Sequence, residues 1–131
     1  CDGWDRNMLI EELVTRGVPI HSISECRPSN TRRGWPENVS QSDKLGALRK
    51  YRVYLALENV METGYVTEKA IDGFAAGAVP LYLGADNAGE YIPTDGCISA
   101  AEAMAADASA EARSHALDAL AKRVKQAIAN E

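Results

Sequence analysis

A chain of 131 residues with net charge −5, 46% apolar and 25% charged residues and 6% aromatics has the composition of one globular domain. That excludes a multidomain architecture, a disordered tail, a collagen and a coiled coil, and the acidic balance argues against a nucleic-acid partner. No apolar run reaches membrane-span length and no basic start leads into an apolar core, so any membrane anchor is expected outside this segment. Because the chain opens on Cys1 and not on Met, it is expected to be part of something longer.

Asp5 is placed to cap a helix over 5–16, with Leu9, Ile10, Leu13 and Val14 on one face and Gly17 as its stop. Residues 18–23 then read as a short strand with Pro19 near its start, where a ladder donor can be spared. From 24 to 42 the turn formers Ser, Asn, Arg, Pro and Gly predict a long surface loop, which carries the glycosylation tripeptide Asn38-Val39-Ser40. A short helix over 43–51 carries Leu45, Leu48 and Tyr51 inward. The apolar run 52–57 suits a central strand covered on both faces and ends abruptly at Glu58-Asn59. After the loop 60–64, residues 66–76 have helical spacing, with Ala70, Ile71, Phe74 and Ala75 expected inward and Gly77 as the stop. A second apolar strand comes next over 78–83, then a turn at Tyr91-Ile92-Pro93, and Cys97-Ile98-Ser99 as a candidate last strand.

Strand, loop, helix, strand is the βαβ pattern of a parallel sheet, so the predicted class is α/β with helices on both faces of a Rossmann-like sheet. Strands 18–23, 52–57 and 78–83 are expected to be parallel. Residues 1–99 are read as this α/β unit, and the alanine-rich tail 100–131 as one or two helices covering the sheet through Leu117, Leu120, Val124 and Ile128. His115, among charged and small residues, reads as solvated. Cys1, Cys26 and Cys97 show no CxxC spacing and the histidines no pairing, so no metal site is predicted. One disulfide with a leftover thiol and three reduced thiols both stay open.

In an open parallel sheet, ligands sit beyond the carboxyl ends of strands. Glu58, Asn59, Tyr65, Glu68 and Lys69 fall there. Thr67 reads as a helix N-cap, whose downstream amides would offer an anion site, and Lys69 in a first turn is unfavourable unless an anion stands opposite. That misfit points to a phosphate ligand. The bland alternative is that Glu68 and Lys69 are solvated and Tyr65 covers the core.

The blocks Glu58-Asn59, Tyr65-Val66-Thr67-Glu68-Lys69, Ala76-Gly77-Ala78-Val79-Pro80, Leu81-Tyr82-Leu83-Gly84 and Tyr91-Ile92-Pro93, in this order and spacing, resemble the donor-binding region of α1,3-fucosyltransferases, glycosyltransferase family 10. Cys1 with Arg6-Asn7, and Cys26 with Asn30, are similar to the stretch preceding that motif in plant-type members. Leu57 stands where the family often has Phe, and Gly96-Cys97 where it often has Ser-Phe. The tail from Ala100 lies outside the resemblance.

The resemblance implies the carboxyl-terminal half of a GT-B enzyme, binding GDP-fucose, while an upstream half holds a GlcNAc-containing glycan acceptor and the general base. Transfer would be inverting, in α1,3 linkage, with no catalytic residue in this segment, no cofactor and no essential divalent metal. Arg6, Asn59, Tyr65, Val66, Thr67, Glu68 and Lys69 are then the donor-binding set. Lys69, the amides after Thr67 and Arg6 would face pyrophosphate, Glu68 would accept from ribose or fucose hydroxyls, Tyr65 would pack on the sugar or ribose, and Asn59 would fix the loop or a ligand hydroxyl. Arg16, Arg27, Arg32 and Arg33 are competing cations. The resemblance also implies the lumenal side of the Golgi membrane. A non-catalytic nucleotide-sugar-binding or decayed interaction module is the competing reading, and a phospho-receiver or flavodoxin-type domain lacks the acidic cluster it would need.

Overall fold

The computed structural model describes residues 4–22, 32–33 and 35–129. Helix α1 (Trp4–Thr15) starts one residue before the expected cap, so Asp5 lies in its first turn and does not cap it. Leu9 and Leu13 are fully buried on its inner face. The helix stops as expected. At φ 87° Gly17 takes the left-handed conformation that lets its N–H reach the Val14 carbonyl at 2.9 Å and the Val18 N–H reach Leu13 at 3.1 Å.

That helix end shortens the first strand. With the Val18 N–H taken and Pro19 lacking one, the expected strand over 18–23 shrinks to β1 (His21–Ser22), and Ile23 lies outside the described residues. It pairs in parallel with β2 (Arg32–Arg33), which comes from the segment read as a loop, and not with the main sheet. Val18 and Ile20 still point into the core. Helix α2 (Lys44–Leu48) is shorter than predicted, with Asp43 accepting the Gly46 N–H at 2.9 Å as its cap.

The main sheet is three-stranded and parallel, in the order β3 (Val53–Leu57), β4 (Val79–Leu83), β5 (Ile98–Ser99). Val53 pairs with Val79 and the register runs without a slip to Leu57 with Leu83. The connection between β3 and β4 carries helix α3 (Lys69–Ala75), three residues shorter at its start than the predicted 66–76. Its C-terminus is closed by Gly77 at φ 77°, with the Ala78 N–H on Gly73 at 2.9 Å.

Alternation along β3 and β4 gives the sheet two unlike faces. Leu57, Leu81, Leu83 and Ile98 join Leu9, Leu13, Leu117, Leu120 and Val124 in a large aliphatic core beneath α1 and α4 (Ala110–Ala129). The tail thus forms one long helix whose apolar stripe contributes to that core, and His115 is exposed. On the other face Ala56 and Tyr82 meet Ala70, Ala88 and Ile92, with Phe74 packed alongside. Here α3 departs from expectation, because Ile71 is 48% exposed and Ala75 also faces solvent. The helix lies on the sheet through Ala70 and Gly73, where an added Cβ would come within 3.0 Å of Pro80 Cγ and 3.1 Å of Tyr54 Cδ2. The close approach needs glycine at that point.

Among the described residues no helix is long and apolar enough to cross a membrane. Cys97 is a free thiol, and burial pushes its ionisation up and away from reactivity. Cys1 and Cys26, and with them the competing cation Arg27, lie outside the described residues.

Candidate functional site

Because β3 and β4 run in the same direction and in register, their carboxyl ends finish side by side, and the segments leaving them must share one edge of the sheet. The Glu58 N–H donates to the Leu83 carbonyl at 2.8 Å, so Glu58 extends the ladder by one residue. Its side chain turns inward. Glu58 has no exposed surface and is the buried charged residue of the described chain. A carboxylate in that position is tolerated only when its oxygens are satisfied. Oε1 accepts the Thr67 hydroxyl at 2.5 Å, while Oε2 accepts the Thr67 N–H at 2.8 Å and the Tyr82 hydroxyl at 3.0 Å. Lys69 Nζ stands 3.7 Å from Oε1 and supplies the counter-charge.

Tyr82 reaches the carboxylate from β4. Burial, and then the hydrogen bond to Glu58 and the charge of that carboxylate, push the phenol well above its ordinary range, so it remains a donor at neutral pH. Gly84 makes room for this pair, since a Cβ there would lie 2.5 Å from Tyr82 Oη and 2.6 Å from Glu58 Cγ.

The expected cap at Thr67 is corrected by the same contacts. Helix α3 begins at Lys69 with Glu68 in the cap position and no side-chain cap bond, because the Thr67 hydroxyl is taken by Glu58 and meets the Lys69 N–H only at 3.5 Å. The Thr67 amide is also bonded to Glu58.

Lys69 connects this cluster to a cavity of about 290 Å³, close to the small end of ligand pockets. Its walls are apolar, from Ile10, Ile20, Leu48, Leu55 and Val124 among others, and Arg6 of α1 and Lys69 both line it. Two cations named from the sequence therefore share one cavity. The other predicted residues do not line it. Asn59 and Glu68 are exposed, Tyr65 is half-buried with its N–H on the Glu62 carbonyl at 2.9 Å, and Val66 packs against the α3-side cluster. The competing cation Arg16 is held elsewhere, on Asp118 at 2.8 Å and on Glu12.

Sequence reasoning assigns no site role to Tyr51 and Tyr54, which line the cavity, or to Tyr82. The ring of Tyr51 meets His21 edge-on, with Oη 3.1 Å from His21 Nδ1. Beneath α3, Lys44 pairs with Asp72 at 2.9 Å and lies 5.5 Å over the Tyr54 ring. Burial pushes the Tyr54 phenol up, an effect that the nearby Lys44 charge partly offsets. The available signal for Tyr82 is a hydroxyl in an otherwise apolar strand beside the one that ends in Glu58.

The loop after Asn59 is pinned to the turn beyond β4. Thr63 donates to Asp86 at 2.9 Å, and the Gly64 N–H to the Asn87 side chain at 2.7 Å. Among the described residues no group of three His, Cys, Asp or Glu side chains could hold a metal ion.

With this geometry in view, residues 2–125 match the C-terminal domain of the fucosyltransferases of glycosyltransferase family 10. The chain belongs to that family. The match runs well into α4, beyond the motifs that end before Ala100. An alpha-(1,4)-fucosyltransferase of Arabidopsis thaliana is 36% identical over 67% of the chain and 25% of its own length. A 4-galactosyl-N-acetylglucosaminide 3-alpha-L-fucosyltransferase of Cricetulus griseus is 36% identical over 65% of the chain and 22% of its own. A GDP-fucose protein O-fucosyltransferase of Xenopus tropicalis is 31% identical over 70% of the chain and 20% of its own. The chain thus spans a quarter or less of the length of these relatives. Their names differ in acceptor and linkage and agree in fucosyl transfer.

Proposed function

We propose that this chain is the donor half of a GT-B fucosyltransferase, a Rossmann-like domain that binds GDP-fucose for inverting α1,3 transfer to a GlcNAc-containing glycan. The observation that carries the reading is the meeting of Arg6 and Lys69 on one cavity, with Lys69 braced at the carboxyl ends of β3 and β4. Relatives that differ in acceptor but share the fucosyl group support assigning this shared segment to the donor. On this reading the upstream half supplies the acceptor and the general base, and any membrane anchor and Golgi placement belong to the longer protein.

The chemistry asked of a donor half is modest and specific. As the bond from the anomeric carbon to the pyrophosphate breaks, negative charge grows on the leaving oxygen, and fixed cations lower the barrier by meeting that charge without reorganising. On this reading Lys69 and Arg6 fill that role without a divalent metal. Glu68 and Asn59, exposed beside the site, are available to sugar hydroxyls, and Tyr65 to the face of a sugar. Glu58 is not available as a base, because both of its oxygens are occupied and none of its surface is exposed. Transfer needs the acceptor oxygen, its base and the anomeric carbon held in line, and such positioning contributes about 7 to 11 kcal/mol.

Titration calorimetry with GDP in the presence of EDTA tests the donor assignment. Binding is expected, and Lys69→Ala should weaken it by about 1.5 to 3 kcal/mol, the range for hydrogen bonds to charged groups. Unchanged affinity in the variant removes Lys69 from the site. In a coupled GDP-release assay with a GlcNAc-containing acceptor, the 131-residue chain should be inactive and the chain joined to an acceptor half active. If such a joined protein binds GDP and transfers nothing, the reading of a non-catalytic module replaces this one.

A further inference from the structure

The geometry points to Glu58 as a positioning residue for the donor site, acting through Thr67 and Lys69 and supported by Tyr82 and Gly84. This rests on the assignment of Lys69 to the donor phosphates. The end of an apolar β-strand could be closed by any aliphatic side chain, and a buried carboxylate is a costly alternative. The observed contacts show what it does there. Three donors converge on it, two of them from Thr67, so the chain is held by both its amide and its hydroxyl two residues before the cation. The carboxylate also keeps Lys69 Nζ within 3.7 Å while that side chain retains 21% exposure and lines the cavity. A lysine stem has four rotatable bonds, and an ammonium fixed from behind loses less freedom when a phosphate arrives in front.

Gly84 leaves the space that this pair occupies, since an added Cβ would stand 2.5 Å from Tyr82 Oη and 2.6 Å from Glu58 Cγ. Glu58 itself is fully buried and touches no substrate, so its effect on the donor passes entirely through Thr67 and Lys69.

A double-mutant cycle on GDP affinity, read by calorimetry on the chain, separates positioning from general structural support. Glu58→Gln keeps the shape and removes the charge, and should weaken GDP binding about tenfold in the wild-type background. In the Lys69→Ala background the same substitution should have no further effect, since the group through which it acts is gone. Equal losses in the two backgrounds, or wild-type affinity in Glu58→Gln, overturn the proposal. If Lys69→Ala itself binds GDP as tightly as wild type, the donor assignment fails and the positioning role with it. A Lys69→Ala loss with none in Glu58→Gln removes only the positioning role. Should circular dichroism show that Glu58→Gln does not fold, Tyr82→Phe carries the same cycle. It withdraws one donor from Oε2 and should cost about threefold in affinity, again only when Lys69 is present.

Discussion

The two faces of the parallel sheet differ in what they are made of. Beneath α1 and α4, Leu9, Leu13, Leu81, Leu117 and Val124 interlock as long aliphatic side chains at 0 to 3% exposure. On the α3 side small residues lie where the helix meets the strands, with Tyr82, Ile92 and Phe74 around them. Ala56, Ala70 and Gly73 let the helix lie close to the strands, and Tyr82 projects across that face to the buried Glu58. The aliphatic face supplies most of the apolar burial. The small-residue face lacks bulk and gains precision, because a short crossover pressed against β3 and β4 brings Thr67 and Lys69 to the strand ends. Lys69 is thereby held from the small-residue side, while the cavity it reaches is walled by Ile10, Leu55 and Val124 of the aliphatic side.

The largest effect should come from the aliphatic face. Leu81→Ala removes a side chain with no exposure from the central strand and should cost about 2 to 5 kcal/mol in a urea titration. At urea concentrations where the variant stays folded, its GDP affinity should match wild type. A binding loss as large as the stability loss would dissolve the division between the faces.

Next is Gly84→Ala. The added methyl falls 2.5 Å from Tyr82 Oη and 2.6 Å from Glu58 Cγ, so those groups must move, at about 1 to 3 kcal/mol for overpacking. Here the affinity for GDP should drop as well, since the movement reaches Thr67. Loss of stability with unchanged affinity would show that the hub is structural only.

A smaller effect concerns alkaline pH. The folded-state phenol of Tyr82 titrates above its unfolded value, so its contribution is full below about pH 10 and is lost as pH rises through the folded value. Tyr54 and Lys44 are shifted upward as well, and Cys97 adds the same sign from a lower starting point. Wild type should therefore lose stability on the alkaline side, and Tyr82→Phe should show a shallower decline above about pH 10 without abolishing it. An identical slope in the two proteins would mean that the Tyr82 hydroxyl is solvated in the folded state.

Much of this division can be read along the chain, and the parts that cannot have a common cause. The runs 52–57 and 78–83 announce two buried strands by composition alone, and Gly17 and Gly77 announce their helix ends because a left-handed residue is needed there. Asp43 caps as its residue type suggests. Thr67 has equally good cap chemistry and does not cap, because its hydroxyl meets a carboxylate nine residues away that local rules do not see. The inward face of α3 escapes sequence reasoning for a similar reason. Helical spacing offers Ile71 as a core residue, but the helix approaches the sheet through Ala70 and Gly73, with Phe74 alongside, and Ile71 faces solvent. The partner of β1 is likewise set by a distant segment. At the candidate site, Lys69 comes from the residue pattern and Arg6 from the family resemblance, whereas the cavity they share depends on α1 and α4 joining one core with β3.

On the proposed function, the donor nucleotide binds where the carboxyl ends of β3 and β4 meet the cavity shared by Arg6 and Lys69. Titration of GDP into ¹⁵N-labelled chain, followed by amide chemical shifts, tests it directly. The largest changes are expected at Thr67, Glu68 and Lys69, with smaller ones around Arg6 and Tyr54, and little change along the outer surface of α4 at Lys122 and Lys125. Changes concentrated on that α4 surface, with Thr67 to Lys69 unmoved at saturating GDP, would contradict it.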